Sequence, residues 1–240
     1  MNCTGRSNRW LDEMKINFWN ESVERSNLEA GECQLWMAHL DDEDPRVFRA
    51  FLSESELARV KRLRDSRSTN RSIVARGILR TLLGTFLECK PEQLVFSYGS
   101  HGKPELAGEF KHRLSFNISH SSGLAVFAIA KKYQVGVDIE EVHPLPDLEA
   151  SASIFLSPME MAEFRVSPST EKLDRFFMLW TCKEAISKAI GSGFSGPVKE
   201  ILELFSIPAS QRSGDIVVPD INRLSLLEPA NGFAGALACV

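Results

Sequence analysis

The segment Val135-Gly136-Val137-Asp138-Ile139-Glu140 places two acids inside an apolar run. A second apolar run, Gly123 to Ala130, precedes it by a few residues. Uninterrupted apolar stretches of this length read as strands in a core. Side chains alternate faces along a strand, so Asp138 and Glu140 share one face and Val137 and Ile139 the other. Neighbouring carboxylates repel, and desolvating them without a partner costs several kcal/mol. A fold that accepts this strand must therefore supply positive charge to one of its faces, and a divalent metal is the economical source.

A chain of 240 residues that is 43% hydrophobic can bury one large core or two smaller ones. The net charge of −4 carries no overall basic excess, which argues against a nucleic-acid coat protein. Basic residues do gather between Arg59 and Arg80, as a local anion site or as a solvated helix face. The five cysteines are scattered, odd in number and without C-x-x-C spacing. They read as reduced thiols of a cytoplasmic protein. The N-terminus has no apolar segment of signal-peptide type, and no apolar run reaches the roughly 18 residues of a membrane span.

Residues 1–31 are polar and aperiodic, an extension that Trp10, Phe18 and Trp19 can pin to the body. A strand is expected over Cys33–Leu40. Ser53-Glu54-Ser55-Glu56 is a capping box that starts a helix, and a longer helix is expected over Thr69–Leu87. Strands are expected at Leu94–Tyr98, Leu114–Ile118, Leu124–Ala130 and Val135–Glu140. The second half repeats the order. Ser157-Pro158-Met159-Glu160 is another capping box, and a long helix from Thr170 to Ile190 stops at Gly191. Strands should follow near Ile201–Ile207, Ile216–Val218, Arg223–Leu227 and Phe233–Val240. Phe51-Leu52-Ser53-x-x-Glu56 recurs as Phe155-Leu156-Ser157-x-x-Glu160, an offset of 104, and Gly84 recurs as Gly191, an offset of 107. These matches favour a duplicated α/β unit. They divide the chain into 1–31, an extension; 32–134, a first subdomain; and 135–240, a second that opens on the acid strand.

The long second helix puts Trp180, Glu184 and Lys188 on one face. Glu184 can meet Asp138 and Glu140 if that helix packs on the sheet. Three carboxylates form an all-oxygen set that suits Mg²⁺, which keeps open positions for water and phosphate. Taken alone, Glu184 and Lys188 are an ordinary i,i+4 pair. Phe116-Asn117-Ile118-Ser119-His120-Ser121 reads as a strand ending in a polar turn. Asn117 and Ser119 are common turn residues at a strand end, and the Ser119 hydroxyl and His120 are also able to hold a nucleotide phosphate. Gly102-Lys103-Pro104 sets a cation in a tight turn. Arg71, Arg76 and Arg80 lie on the first long helix, Arg71 near its anion-favouring N-terminal end.

In this order the segments resemble the surfactin-type 4′-phosphopantetheinyl transferases. The two specific signatures are Gly136–Glu140 and the helix from Trp180 to Gly191, and the Phe116–Ser121 segment supports them. The resemblance covers about residues 33–240. It implies an α/β (α+β) fold with a pseudo-twofold pair of similar subdomains, acting as a monomer. It implies transfer of phosphopantetheine from coenzyme A to a serine of an apo acyl or peptidyl carrier protein, with adenosine 3′,5′-bisphosphate released. By residue match, Asp138, Glu140 and Glu184 would hold Mg²⁺. Glu184 and Lys188 would act in catalysis, and Arg71, Lys103, Ser119 and His120 would line the coenzyme A nucleotide. Two departures stand out: Glu56 where some members have Lys, and Lys183-Glu184-Ala185, which marks a Lys-Glu-Ala subgroup in place of Lys-Glu-Ser. Two other readings compete. One is a non-catalytic coenzyme A or carrier-binding module, against which the three acids argue. The other is a different Mg²⁺-dependent phosphotransferase, which would usually show a G-x-x-x-x-G-K-[ST] loop that this chain lacks.

Overall fold

The computed structural model describes residues 16–20, 28, 32–191, 193, 207, 214–218 and 221–240. The expected contact of Trp10 and nearly all of the expected strand Ile201–Ile207 lie outside the described residues. The first sheet has the order β1-β2-β6-β5, formed by β1 (Ile16–Phe18), β2 (Cys33–His39), β6 (Leu124–Ala130) and β5 (Ser115–Ser121). The second has the order β7-β10-β9-β8, formed by β7 (Val135–Glu141), β10 (Phe233–Cys239), β9 (Ile221–Leu227) and β8 (Gly214–Val218). A short hairpin of β3 (Phe96–Tyr98) and β4 (Pro104–Leu106) stands apart. All described pairings are antiparallel except β1 with β2.

Alternation along the strands decides what each face touches. Trp36, Ala38, Phe116, Phe127 and Ile129 face a long helix, α3 (Ser66–Leu87), and close one core with its Ile78, Leu79, Leu82 and Leu83. Leu224, Ala236 and Ala238 face the other long helix, α6 (Ser169–Ile190), over Leu179, Cys182 and Ile186. The remaining faces meet each other. Leu35, Met37, Val126 and Ala128 of the first sheet pack on Val135, Val137, Ile139 and Leu237 of the second. The layers therefore run helix, sheet, sheet, helix, with the acid strand at an edge of the inner pair. This is the expected mixed α/β class.

Short helices complete each half: α1 (Pro45–Arg49) and α2 (Glu54–Val60) before α3, α4 (Leu148–Phe155) and α5 (Pro158–Val166) before α6. Both expected capping boxes form, at Ser53 with Glu56 and at Ser157 with Glu160. Each glutamate also receives a base from the long helix of its half. Glu56 pairs with Arg80 at 2.7 Å, and Glu160 with Lys183 at 2.6 Å. The Glu56 carboxyl feels burial, but Arg80, the Ser53 N–H and Arg76 outweigh it and hold it below its ordinary value. α6 ends at Gly191, whose φ of 78° is the left-handed cap that glycine favours. Trp19 sits on Phe48 with ring centroids 5.6 Å apart, so this part of the extension is pinned as expected.

One expectation is corrected. The segment Phe116–Ser121 is not a strand running into a turn: β5 continues through Ser121, and the reversal falls at Ser122 and Gly123, both with positive φ. The polar residues that suggested a turn are one face of a strand, and that face has a partner.

Candidate active site

β7 is an edge strand, so the N–H groups of Val135, Val137, Ile139 and Glu141 have no strand beside them in their sheet. Polar side chains of β5 take their place. Ser115 Oγ accepts from Val135 N at 3.2 Å, Asn117 Oδ1 from Val137 N at 2.9 Å, Ser119 Oγ from Ile139 N at 3.3 Å and Ser121 Oγ from Glu141 N at 3.1 Å. A seam of side chains thus joins the two sheets and covers an edge that would otherwise be open to pairing.

The same seam carries the acids. Ser119 Oγ donates to Asp138 Oδ1 and Ser121 Oγ to Glu140 Oε2, each at 2.9 Å. Gly136, Asp138 and Glu140 face α6. A Cβ on Gly136 would lie 2.1 Å from the Ala185 carbonyl oxygen and 2.3 Å from Ala189 N, so glycine lets the helix backbone rest on the strand. That approach brings Lys188 Nζ to 2.5 Å from Asp138 Oδ1. Asp138 is only 3% exposed, and its Oδ2 is buried without a hydrogen-bond partner.

Burial pushes the Asp138 carboxyl above its ordinary value, against the pull of Lys188 and Ser119. Burial raises Glu140 as well, with Asp138 adding to it and Ser121 opposing. Glu184 rises by burial and by the charges of Asp138 and Glu140, with Lys188 opposing. The three acids therefore lie within electrostatic reach of one another. As the side chains stand, no three of the described His, Cys, Asp and Glu residues converge as a metal-ligand cluster. The ammonium of Lys188 supplies the positive charge on Asp138 instead. The donor types nevertheless fit a hard divalent cation: an orphaned buried carboxylate oxygen on Asp138, with the carboxylates of Glu140 and Glu184 within electrostatic reach of it.

His120 lies on the opposite face of β5 from Ser119 and Ser121. It lines a cavity of about 210 Å³ with Arg59, Ser72, Arg76, Tyr98 and Ile118. Packing of neighbours around the ring, then the charges of Lys188 and Arg71, hold His120 below its ordinary value. Arg59 stacks over the Tyr98 ring at 4.2 Å, and Arg76 bonds both the Tyr98 hydroxyl and Glu56. The sequence marked the basic stretch but not Tyr98, which arrives from the separate β3–β4 hairpin. Arg80, in the same stretch, is buried on Glu56 and is structural.

The other expected nucleotide residues are placed differently. Arg71 is held by Asp41 at 2.7 and 2.5 Å, beside the Gly123 turn. Lys103 points away from His120. Its Nζ donates to the Val135 and Ala189 carbonyls at 3.1 and 3.0 Å, tying the start of β7 to the end of α6. Burial lowers its pKa to about 8. A larger cavity, about 440 Å³, opens between α6 and the β9–β10 hairpin, but none of the three acids lines it.

A two-sheet α+β fold with one buried and two half-buried acids where the edge strand meets a long helix, beside an arginine-lined cavity, defines a candidate phosphate-chemistry enzyme. Two family models match in tandem: "4'-phosphopantetheinyl transferase, N-terminal" over residues 39–132 and "4'-phosphopantetheinyl transferase superfamily" over 134–223. The chain is 39% identical over 180 residues to the 4'-phosphopantetheinyl transferase HetI of Nostoc sp., covering 74% of this chain and 76% of that protein. It is 31% identical over 166 residues to the L-aminoadipate-semialdehyde dehydrogenase-phosphopantetheinyl transferase of Schizosaccharomyces pombe, 64% of each chain. It is 27% identical over 172 residues to the 4'-phosphopantetheinyl transferase Sfp of Bacillus subtilis, 72% of this chain and 73% of the relative. The chain belongs to the 4′-phosphopantetheinyl transferase superfamily.

Proposed function

We propose that this enzyme moves 4′-phosphopantetheine from coenzyme A to a serine hydroxyl of an apo carrier protein and releases adenosine 3′,5′-bisphosphate. The observation that carries this reading is Asp138: buried, bonded through Oδ1 to Lys188 and Ser119, with a partnerless Oδ2, and within electrostatic reach of Glu140 and Glu184. A binding module has little use for a costly acid cluster. Asp138, Glu140 and Glu184 would hold Mg²⁺, which when bound neutralises charge on the pyrophosphate.

The chain's own groups divide the remaining work. The carrier serine oxygen bonds to the β-phosphorus as the bond to the adenosine bisphosphate oxygen breaks. Glu184 is the candidate group to take the serine proton, and in that role it leaves the cation to Asp138 and Glu140. Lys188, on a flexible stem and 29% exposed, turns its ammonium toward the negative charge gathering on the leaving oxygen. His120, Arg59, Arg76 and Tyr98 receive the nucleotide, with the charge of Arg71 within reach of His120 and Ser119 on the other face of β5 against Asp138. Lys103 acts by fixing α6 against β7.

The division at residues 32–134 and 135–240 is supported by the matching capping boxes and long helices. Placement in the Lys-Glu-Ala subgroup rests on Lys183-Glu184-Ala185. We assign the protein to the cytoplasm as a monomer; the four described cysteines are free, and no described helix is long and apolar enough to cross a membrane. The test uses coenzyme A, Mg²⁺ and an apo carrier, with the carrier weighed after reaction. The wild type adds one phosphopantetheine. Asp138→Ala loses transfer at least 100-fold and keeps its circular dichroism spectrum. Near-normal transfer by that variant refutes the metal role.

A further inference from the structure

Ser121 has a hydroxyl with one hydrogen and a fixed set of neighbours. Its oxygen accepts the Glu141 N–H at 3.1 Å, so its hydrogen is free for the Glu140 Oε2 at 2.9 Å. The backbone of β7 therefore holds the serine, and the serine holds one oxygen of Glu140. This leaves Oε1 as the oxygen free to turn toward Asp138 and Glu184. Ser119 does the same for Asp138, but it also lies 3.4 Å from Lys188 Nζ. Ser121 has no other side-chain partner among the described contacts.

We propose that Ser121 is a positioning residue for Glu140, presetting that carboxylate for the divalent cation of the site. This rests on the metal reading above. A glutamate has three rotatable bonds, and without the serine its carboxylate would have to be ordered by the cation itself. Partners that orient a metal ligand in this way are worth about 10- to 100-fold in cation affinity.

The seam supplies its own control. Ser115 accepts the Val135 N–H just as Ser121 accepts that of Glu141, but it donates to Gln134 and touches no acid of the site. Removing either hydroxyl costs the seam one backbone acceptor, and only Ser121 costs Glu140 its donor. Mn²⁺ binding to the coenzyme A-free protein is measured by electron paramagnetic resonance of the free ion, with thermal melts alongside. Ser121→Ala is expected to bind Mn²⁺ about 10-fold more weakly. Ser121→Thr, which keeps the hydroxyl, and Ser115→Ala should both bind within about 2-fold of wild type, a margin narrow enough to separate them from the loss of the Glu140 donor. Undiminished Mn²⁺ binding by Ser121→Ala overturns the proposal while leaving the metal site standing. Equal weakening in Ser115→Ala and Ser121→Ala also overturns it, because the role is then that of the seam alone. A wild type that takes up no Mn²⁺ yet still transfers phosphopantetheine overturns the proposal and the metal reading together.

Discussion

Gly136→Ala tests the close approach of α6 to β7. The added methyl would meet the Ala185 carbonyl oxygen at 2.1 Å, Ala189 N at 2.3 Å and the Lys188 carbonyl carbon at 2.8 Å. All three are backbone atoms of a 22-residue helix, so no flexible side chain can swing aside. Ordinary contact begins at 3.4 Å, and the helix must retreat by about 1.3 Å. Core overpacking costs about 1–3 kcal/mol, and a clash against backbone belongs at the upper end. The same retreat carries Glu184 and Lys188 away from Asp138. A misplacement of about 1 Å at a reacting centre is worth roughly 100-fold in rate. The expected result is a urea midpoint lowered by the equivalent of about 3 kcal/mol and transfer reduced by roughly two orders of magnitude at a temperature where the variant is folded. Gly99→Ala is the control. Its nearest neighbour would be 3.9 Å away, and it should stay within about 0.5 kcal/mol of wild type. Wild-type midpoint and wild-type transfer in Gly136→Ala would refute the packing account of the glycine.

Two further outcomes follow from buried charges. Lys183→Ala leaves Glu160, fully buried in its capping box, without its base. It should cost about 3 kcal/mol in urea unfolding, with much of the loss recovered in Lys183→Met/Glu160→Gln. Lys103 has a folded-state pKa near 8, below the unfolded value of 10.5. Between those values the unfolded chain binds more protons at this site, so its contribution to stability rises with pH. Urea midpoints of wild type and Lys103→Met, compared at about pH 7.5 and pH 9.5, should diverge in the wild type's favour at the higher pH; a constant difference contradicts the buried, desolvated placement.

The sequence was legible where local rules decide. Ser53 and Ser157 with their glutamates announced two helix starts, apolar spacing outlined both long helices, and Gly191 marked where the second stops. Asp138 and Glu140 announced themselves by alternation within an apolar run. What stayed hidden depends on neighbours distant in the chain. The face formed by Ser115, Asn117, Ser119 and Ser121 looks like a turn because polar residues in a short apolar stretch usually are one. Only the edge of β7, unpaired in its own sheet, turns those residues into a second hydrogen-bonding strand partner. The Gly-Lys-Pro turn leaves Lys103 as either a phosphate contact or an exposed lysine. Its destination, two carbonyls on different elements, has no local signature. Tyr98 was silent because an aromatic in a short strand is common, and its role depends on Arg59 and Arg76 from two other helices.

The paired halves explain why one strand carries the acids and its counterpart does not. Each half spends a capping-box glutamate and a long-helix base on an internal ion pair, Glu56 with Arg80 and Glu160 with Lys183, and these pairs fix how the short helix meets the long one. Such charges are committed to structure. The charges outside these two pairs differ between halves. In the first they include Arg59 on the Tyr98 ring, Arg71 paired with Asp41 and Arg76, which shares Glu56 with Arg80, and in the second Asp138, paired with Lys188, together with Glu140 and Glu184. The seam of β5 against β7 brings these two sets together, with His120 on one face of β5 and Ser119 and Ser121 on the other. On the proposed function, an anionic nucleotide drawn to the first set would lie at the edge of the second, and the stretch Ser119-His120-Ser121 would join the part of the site that takes the substrate to the part that holds the acids in place.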